Sequence, residues 1–151
     1  MKNLTLGLLL ISSVSQAKED KVLHMAKANG FKPSQQVVKA IVHAAKTYGI
    51  SARELTAIAI VETGLGKYTR QEPNKDGTMD VGLFQINEVN HSKCVEYNLE
   101  SPEGSALCAA KLLSEIKKKH SDYLVRYHSK TLKHKIKYGR KIAGVYRKAS
   151  K

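Results

Sequence analysis

"SARELTAIAIVETG", residues 51–64, decides how this chain is read. Ser51 and Glu54 hold the S-x-x-E spacing, in which a serine and a glutamate reciprocally satisfy free N–H groups at a helix start. Leu55, Ile58, Ala59 and Glu62 follow at helical intervals on one face, and Gly64 supplies the stop. The helix thus sets a carboxylate, Glu62, on its apolar side and in its last turn. Burial disfavours the charged form there, and so does the negative end of the helix dipole. A carboxyl kept neutral near about pH 6–7 is what general acid catalysis needs, with glycoside cleavage a common setting. Spacing alone leaves two blander readings open: an ion pair with a cation of another helix, or a side chain that turns outward.

Working outward, the same logic covers most of the chain. Ser34 is a candidate N-cap after Pro33, and Val37, Val38, Ile41, Val42, Ala45 and Tyr48 recur at helical spacing up to Gly49. Residues 21–29 read as a short helix closed by Gly30. Beyond Gly64 the character changes. Residues 65–79 carry Pro73, Asn74, Asp76 and Gly77 and read as loop and turn. "DVGLFQIN" (80–87) is apolar with a glycine inside it, a short strand or an irregular buried segment. Ser101-Pro102-Glu103 opens a further helix through Cys108, Leu112, Leu113 and Ile116. A short helix near 122–128 and a last one near 136–148 complete the expectation. The fold class is mainly α, one domain with a loop-rich middle and a small irregular or β segment around 78–87.

The 151 residues suggest one domain with room for a core. At the start, Lys2 precedes a mostly apolar run from Leu4 to Val14, and Ser15-Gln16-Ala17 puts small residues where a signal peptidase reads. That run is too short to span a membrane. Residues 1–17 are therefore read as a secretory signal cleaved after Ala17, with 18–151 as the mature domain in the periplasm or cell wall. In an oxidising compartment Cys94 and Cys108, the only cysteines, would join. Two cysteines without a nearby histidine pair argue against a structural metal site, and the histidines other than His128 (24, 43, 91, 120, 134) show no metal-ligand spacing. No cofactor is expected.

The net charge of +13 is unevenly placed. Lys18 to Ala110 balances to zero, whereas Lys111 to Lys151 holds fourteen basic residues against two acidic ones. Such a stretch attracts nucleic acid, an anionic membrane surface or an anionic wall polymer, or serves solubility alone. Export argues against nucleic acid.

The ordered set Glu62-Thr63, Gly82-Leu83-Phe84-Gln85-Ile86 and Tyr127-His128-Ser129 resembles the lytic transglycosylase (SLT) domain of the lysozyme superfamily, over roughly residues 35–148. The likeness is to the small exported members that accompany type III and type IV secretion and conjugation systems. It implies a goose-type, lysozyme-like α+β fold. It also implies roles: Glu62 as catalytic acid/base, Gln85 reaching the sugar from the cleft floor, and Tyr127 bonding the Glu62 carboxyl or the substrate. Thr63 and Asn87 would be secondary cleft residues. A Cys94–Cys108 bridge would tie the loop after the glutamine segment to the next helix. Three positions depart from the commoner pattern. Phe84 stands for methionine and Thr63 for serine, while His128 replaces an asparagine and puts that polar contact in doubt.

Glycoside hydrolysis normally divides its labour between two carboxylates. Candidates for the second are Glu72, Asp76 and above all Asp80, which could position a water. The resemblance implies that none is needed, because Glu62 acts first as acid and then as base, leaving a 1,6-anhydro end on MurNAc. The related goose-type lysozymes carry an aspartate where this chain has Asn87, which favours the lyase. Its substrate would be peptidoglycan glycan strands, acted on by a monomer that partners recruit. Two readings from other classes stay open beside a hydrolytic muramidase. One is a non-catalytic peptidoglycan-binding assembly protein; the other is a cationic membrane-disrupting protein.

Overall fold

The structure, a computed structural model, describes residues 2–68 and 72–151, with side chains from residue 13 onward. Six α-helices run in order: α1 (Lys2–Ala28), α2 (Gln35–Tyr48), α3 (Ala52–Thr63), α4 (Pro102–Lys117), α5 (Tyr123–Arg126) and α6 (Leu132–Ala149). Between α3 and α4 lie two short strands, β1 (Asp80–Val81) and β2 (Ile86–Asn87), and a 3₁₀ turn over Glu88–Lys93. The expected mainly α domain with a small β segment is therefore what forms.

The helix boundaries follow from the caps. Ser34 accepts from the Val37 amide at 3.3 Å, and Gly49 ends α2 in the left-handed region. The Ser51/Glu54 capping box is closed at the start of α3, and Gly64 ends that helix with φ 58°. Ser101 accepts from the Gly104 amide at the head of α4, with Pro102 in its first turn.

Two boundaries differ from expectation. The helix expected at 21–29 is the end of a longer one that begins at Lys2, because no glycine or proline interrupts the chain between Gly7 and Gly30. The side chains of residues 2–12, most of the apolar run, lie outside the described residues, as do Met1 and, in the expected loop, residues 69–71. No helix among the described residues is long and apolar enough to cross a membrane. The last helix starts at Leu132 rather than near 136. Its first turns carry exposed Leu132 and Ile136, which do not extend the buried stripe from which periodicity is read.

One core joins these elements. α2 packs against α4, and α1 packs against α2, α3 and α6. Ile41, Leu55, Ile58, Phe84 and Leu113 are fully buried within it. Val22, Met25 and Ala26 bring the end of α1 into the same core. Two polar clasps hold α1 to α6: Asn29 Nδ2 donates to the Val145 carbonyl at 3.2 Å, and His24 Nε2 lies 3.0 Å from the Ala149 carbonyl. A disulfide joins Cys94, just after the 3₁₀ turn, to Cys108 of α4.

Candidate active site

The central glycine segment is pinned from three sides. Thr63 Oγ1 donates to the Leu83 carbonyl at 2.8 Å and accepts from the Gly66 amide at 3.0 Å. Ser105 Oγ of α4 accepts from the Phe84 amide at 3.1 Å. The Tyr127 hydroxyl donates to the Phe84 carbonyl at 3.1 Å. Gly82 has φ 76°, and a Cβ there would meet the Leu99 carbonyl oxygen at 2.0 Å. Held in this way, Gln85 adopts φ 47°, a conformation uncommon for a residue with a side chain. Its Nε2 donates back to the Gly82 carbonyl at 3.1 Å.

Beside this segment opens a cavity of about 700 Å³. Of the residues singled out from sequence, Glu62, Asp80, Gln85, Asn87, Tyr127 and His128 line it. Thr63 does not: it is 1 % exposed and serves as an internal strut between the end of α3 and the Leu83 carbonyl. One helical step turns the side chain of Thr63 about 100° from that of Glu62, which carries it into the core. Of the other carboxylates considered, Asp76 lines the cavity and Glu72 does not. Among the described residues no cluster of three His, Cys, Asp or Glu side chains could hold a metal ion.

Glu62 sits in the last turn of α3 with its side chain 14 % exposed. Burial pushes its carboxyl up from 4.5 to about 7. The Tyr138 hydroxyl opposes this by favouring the ionised form, the charge of Asp80 adds to the rise, and Lys141 pulls the other way. Asp80 is fixed by Asn87, its cross-strand partner in the β1–β2 pair, whose Nδ2 donates to Oδ1 at 2.8 Å. Asn87 thus acts on the site through Asp80, as well as facing the cavity itself.

The tyrosine that acts on the Glu62 proton is therefore Tyr138, while the Tyr127 hydroxyl, also within reach of the Glu62 charge, donates to the Phe84 carbonyl. Tyr138 is 2 % exposed, and its hydroxyl closes no hydrogen bond of ordinary geometry among the described residues. Its action on Glu62 is thus a near contact rather than a completed bond. Burial and the neighbouring Glu62 charge push both tyrosine hydroxyls well above their usual range. Sequence reading missed Tyr138, although one signal was present. It shares a stripe with Ile142 and Val145, and a tyrosine on a buried stripe brings a hydroxyl that needs a partner.

His128 stacks on Tyr138, ring centroids 4.6 Å apart and planes 3° from parallel. Its Nδ1 is 3.9 Å from Glu62 Oε1, a long contact. Burial and then the Lys141 charge lower the imidazole pKa below its ordinary 6.5. The lowered His128 pKa and the raised Glu62 pKa therefore favour the uncharged pair over the salt bridge.

Chemically, the arrangement offers one buried, protonatable carboxyl in an open cavity, amide groups of Gln85 and Asn87 around it, and a second carboxylate held at β1. None of the curated proteins matches the chain. A family model described as the transglycosylase SLT domain matches residues 39–134, from α2 into the first turn of α6. The match covers Glu62, the Gly82–Gln85 segment and Tyr127, and stops four residues short of Tyr138. A match over well over half of its length, with the buried glutamate and the pinned glycine segment inside it, means that the chain belongs to the transglycosylase SLT domain family.

Proposed function

We propose that the protein is an exported lytic transglycosylase that cuts the bond between MurNAc and GlcNAc and leaves a 1,6-anhydroMurNAc end. The family is one of lytic transglycosylases, with peptidoglycan as its substrate. The observation that carries the finer reading is the Glu62 carboxyl, buried at a helix end in the cavity and raised to about 7. Near neutral pH such a group is protonated in a large fraction of molecules, yet ionises readily, as acid-then-base work demands.

The chemistry runs through this one residue. Glu62 gives its proton to the glycosidic oxygen as the C1–O bond breaks, freeing the 4-hydroxyl of GlcNAc. The carbonyl oxygen of the MurNAc N-acetyl group closes on C1 and takes up the positive charge. Glu62, now a carboxylate, removes the proton of the sugar's own C6 hydroxyl. O6 then displaces the acetamido oxygen at C1, and the enzyme returns to its protonated state without consuming water. Tyr138 tempers the proton affinity of Glu62. Gln85 and Asn87 offer amides to the glycan, and Tyr127 serves by fixing the segment that carries Gln85. Residues 1–17 act as the cleaved export signal in this reading, and a secretion or conjugation apparatus in need of a local wall opening is the partner it implies.

Asp80 gives the hydrolytic reading its one specific support, since it shares the cavity and acts on Glu62. Mass spectrometry of muropeptides released from purified peptidoglycan, with Glu62→Gln in parallel, decides between them. Anhydro ends from the wild type alone are expected. Reducing ends would make the protein a muramidase, and release by Glu62→Gln would remove Glu62 from the chemistry.

A further inference from the structure

The outer face of α6 takes no part in the cavity. Tyr138, Ile142 and Val145 form the buried stripe of this helix. On the opposite side Leu132 is 67 % exposed and Ile136, one turn on, 49 %. The next turns carry the same face to Arg140 and Arg147, with Lys133 alongside, all exposed. The helix contains no acidic residue, and among the described residues none of these three cations forms an ion pair. Lys135 is different, being engaged by Asp122 at 2.6 Å, and Lys141 acts on Glu62.

From this we infer that the outer face of α6 docks the protein on an anionic lipid surface. Charge complementarity selects the class of partner, and the two aliphatic side chains select within it. A second copy of the chain would set the same cations against one another. A lipid-free polyanion would answer the charges but leave Leu132 and Ile136 in water. A bilayer answers both. The aliphatic pair enters the boundary below the headgroups, while the long stems of Lys133 and Arg140 lie along it with their charges at the phosphates. Tyr138 faces Glu62 from the other side of the same helix, so docking leaves the cavity turned away from the lipid and open to the wall.

Vesicle flotation tests this with the full chain. The probes are vesicles of phosphatidylcholine alone and of phosphatidylcholine with phosphatidylglycerol in equal parts, alongside soluble polyglutamate. One variant combines Leu132→Ser and Ile136→Ser, the other Lys133→Gln, Arg140→Gln and Arg147→Gln. Each protein is also floated without residues 1–17, read above as cleaved on export, so that the apolar residues 4–14 common to the full-length proteins cannot mask a difference among them. Far-ultraviolet circular dichroism and melting temperature confirm that each variant keeps its fold. The wild type should float with the phosphatidylglycerol vesicles in preference to the neutral ones, and each variant should partition at least about tenfold less. Equal recovery with both kinds of vesicle overturns the inference. So does undiminished binding by the serine variant, or binding to polyglutamate as tight as to the anionic vesicles.

Discussion

The imidazole of His128 lies flat on the ring of Tyr138 while its Nδ1 points to within 3.9 Å of Glu62, so the histidine sits beside both the proposed acid and the tyrosine that acts on it. Between the lowered pKa of His128 and the raised pKa of Glu62, near 7, both groups are uncharged. Activity should fill this window and decline on either side. On the alkaline side Glu62 loses the proton it must donate, and on the acid side His128 becomes a cation beside the cleft. His128→Asn should keep activity at low pH while leaving the alkaline limb near 7. Tyr138→Phe removes the group that favours ionisation, so it should move the alkaline limb upward by up to about one unit. Tyr127→Phe should lower kcat without moving either limb. The three pH profiles of kcat/KM, measured together, check the assignment; a Tyr127→Phe profile that shifts in place of Tyr138→Phe would reverse it.

Glu62 should also cost stability, with a defined pH dependence. Its folded pKa of about 7 lies above the 4.5 of the free carboxyl, so between these values the native state holds a proton that the unfolded chain has lost. Stability contributed by the protonated form is thus intact below 4.5, falls as pH rises through the interval, and stays lost above about 7. The shift from 4.5 to about 7 corresponds to roughly 3 kcal/mol. Glu62→Gln should therefore melt higher than wild type at pH 8 and close to it at pH 4.5. A difference that is independent of pH would contradict the buried-carboxyl account.

Gly82 is the residue whose backbone geometry the site tolerates least. Any Cβ there meets the Leu99 carbonyl oxygen at 2.0 Å, and φ 76° adds strain of its own. Gly82→Ala should cost roughly 2–4 kcal/mol of stability and displace Gln85, with activity falling further than unfolding alone explains. Chemical denaturation and steady-state kinetics on the folded fraction separate the two effects.

Reduction of the Cys94–Cys108 bridge releases the 3₁₀ turn over 88–93, which forms one wall of the cavity through Val89 and Lys93. Closing a loop with this separation stabilises by about 3 kcal/mol in the chain-entropy model, which for a domain of this size is a melting shift of about 6–12 °C. Calorimetry with and without a reducing agent checks the value. An unchanged melting temperature would mean that the bridge does not constrain the unfolded chain.

The helices were legible wherever a cap and a buried stripe coincide. Ser34 with Gly49, and Ser51 and Glu54 with Gly64, mark α2 and α3 because caps answer local backbone needs. Glu62 was legible for the same reason, since helical phase alone places it on the apolar side. Partners contributed by distant elements were not. That Tyr138 reaches Glu62 depends on how α6 crosses α3, a tertiary relation with no local trace. Tyr127, expected to bond the Glu62 carboxyl or the substrate, lines the cavity and donates to the Phe84 carbonyl, because a hydroxyl in a cleft can bond a carboxyl or a main-chain carbonyl equally well. The two strands hold only two residues each, too few for an alternating pattern to distinguish them from an irregular segment.

The clasp between α1 and α6 bears on when the site around Glu62 is completed. Its contacts join residues 116 and 125 positions apart, so almost the whole chain must be present before they close. The same late arrival brings Tyr138 and Lys141 to Glu62, the two groups that temper its proton affinity. A chain still emerging, or cut short before α6, holds Glu62 without the Tyr138 hydroxyl and the Lys141 charge that act on it in the complete fold. The carboxyl is thus made early, at residue 62, and its helix partner Tyr138 only near the end of the chain.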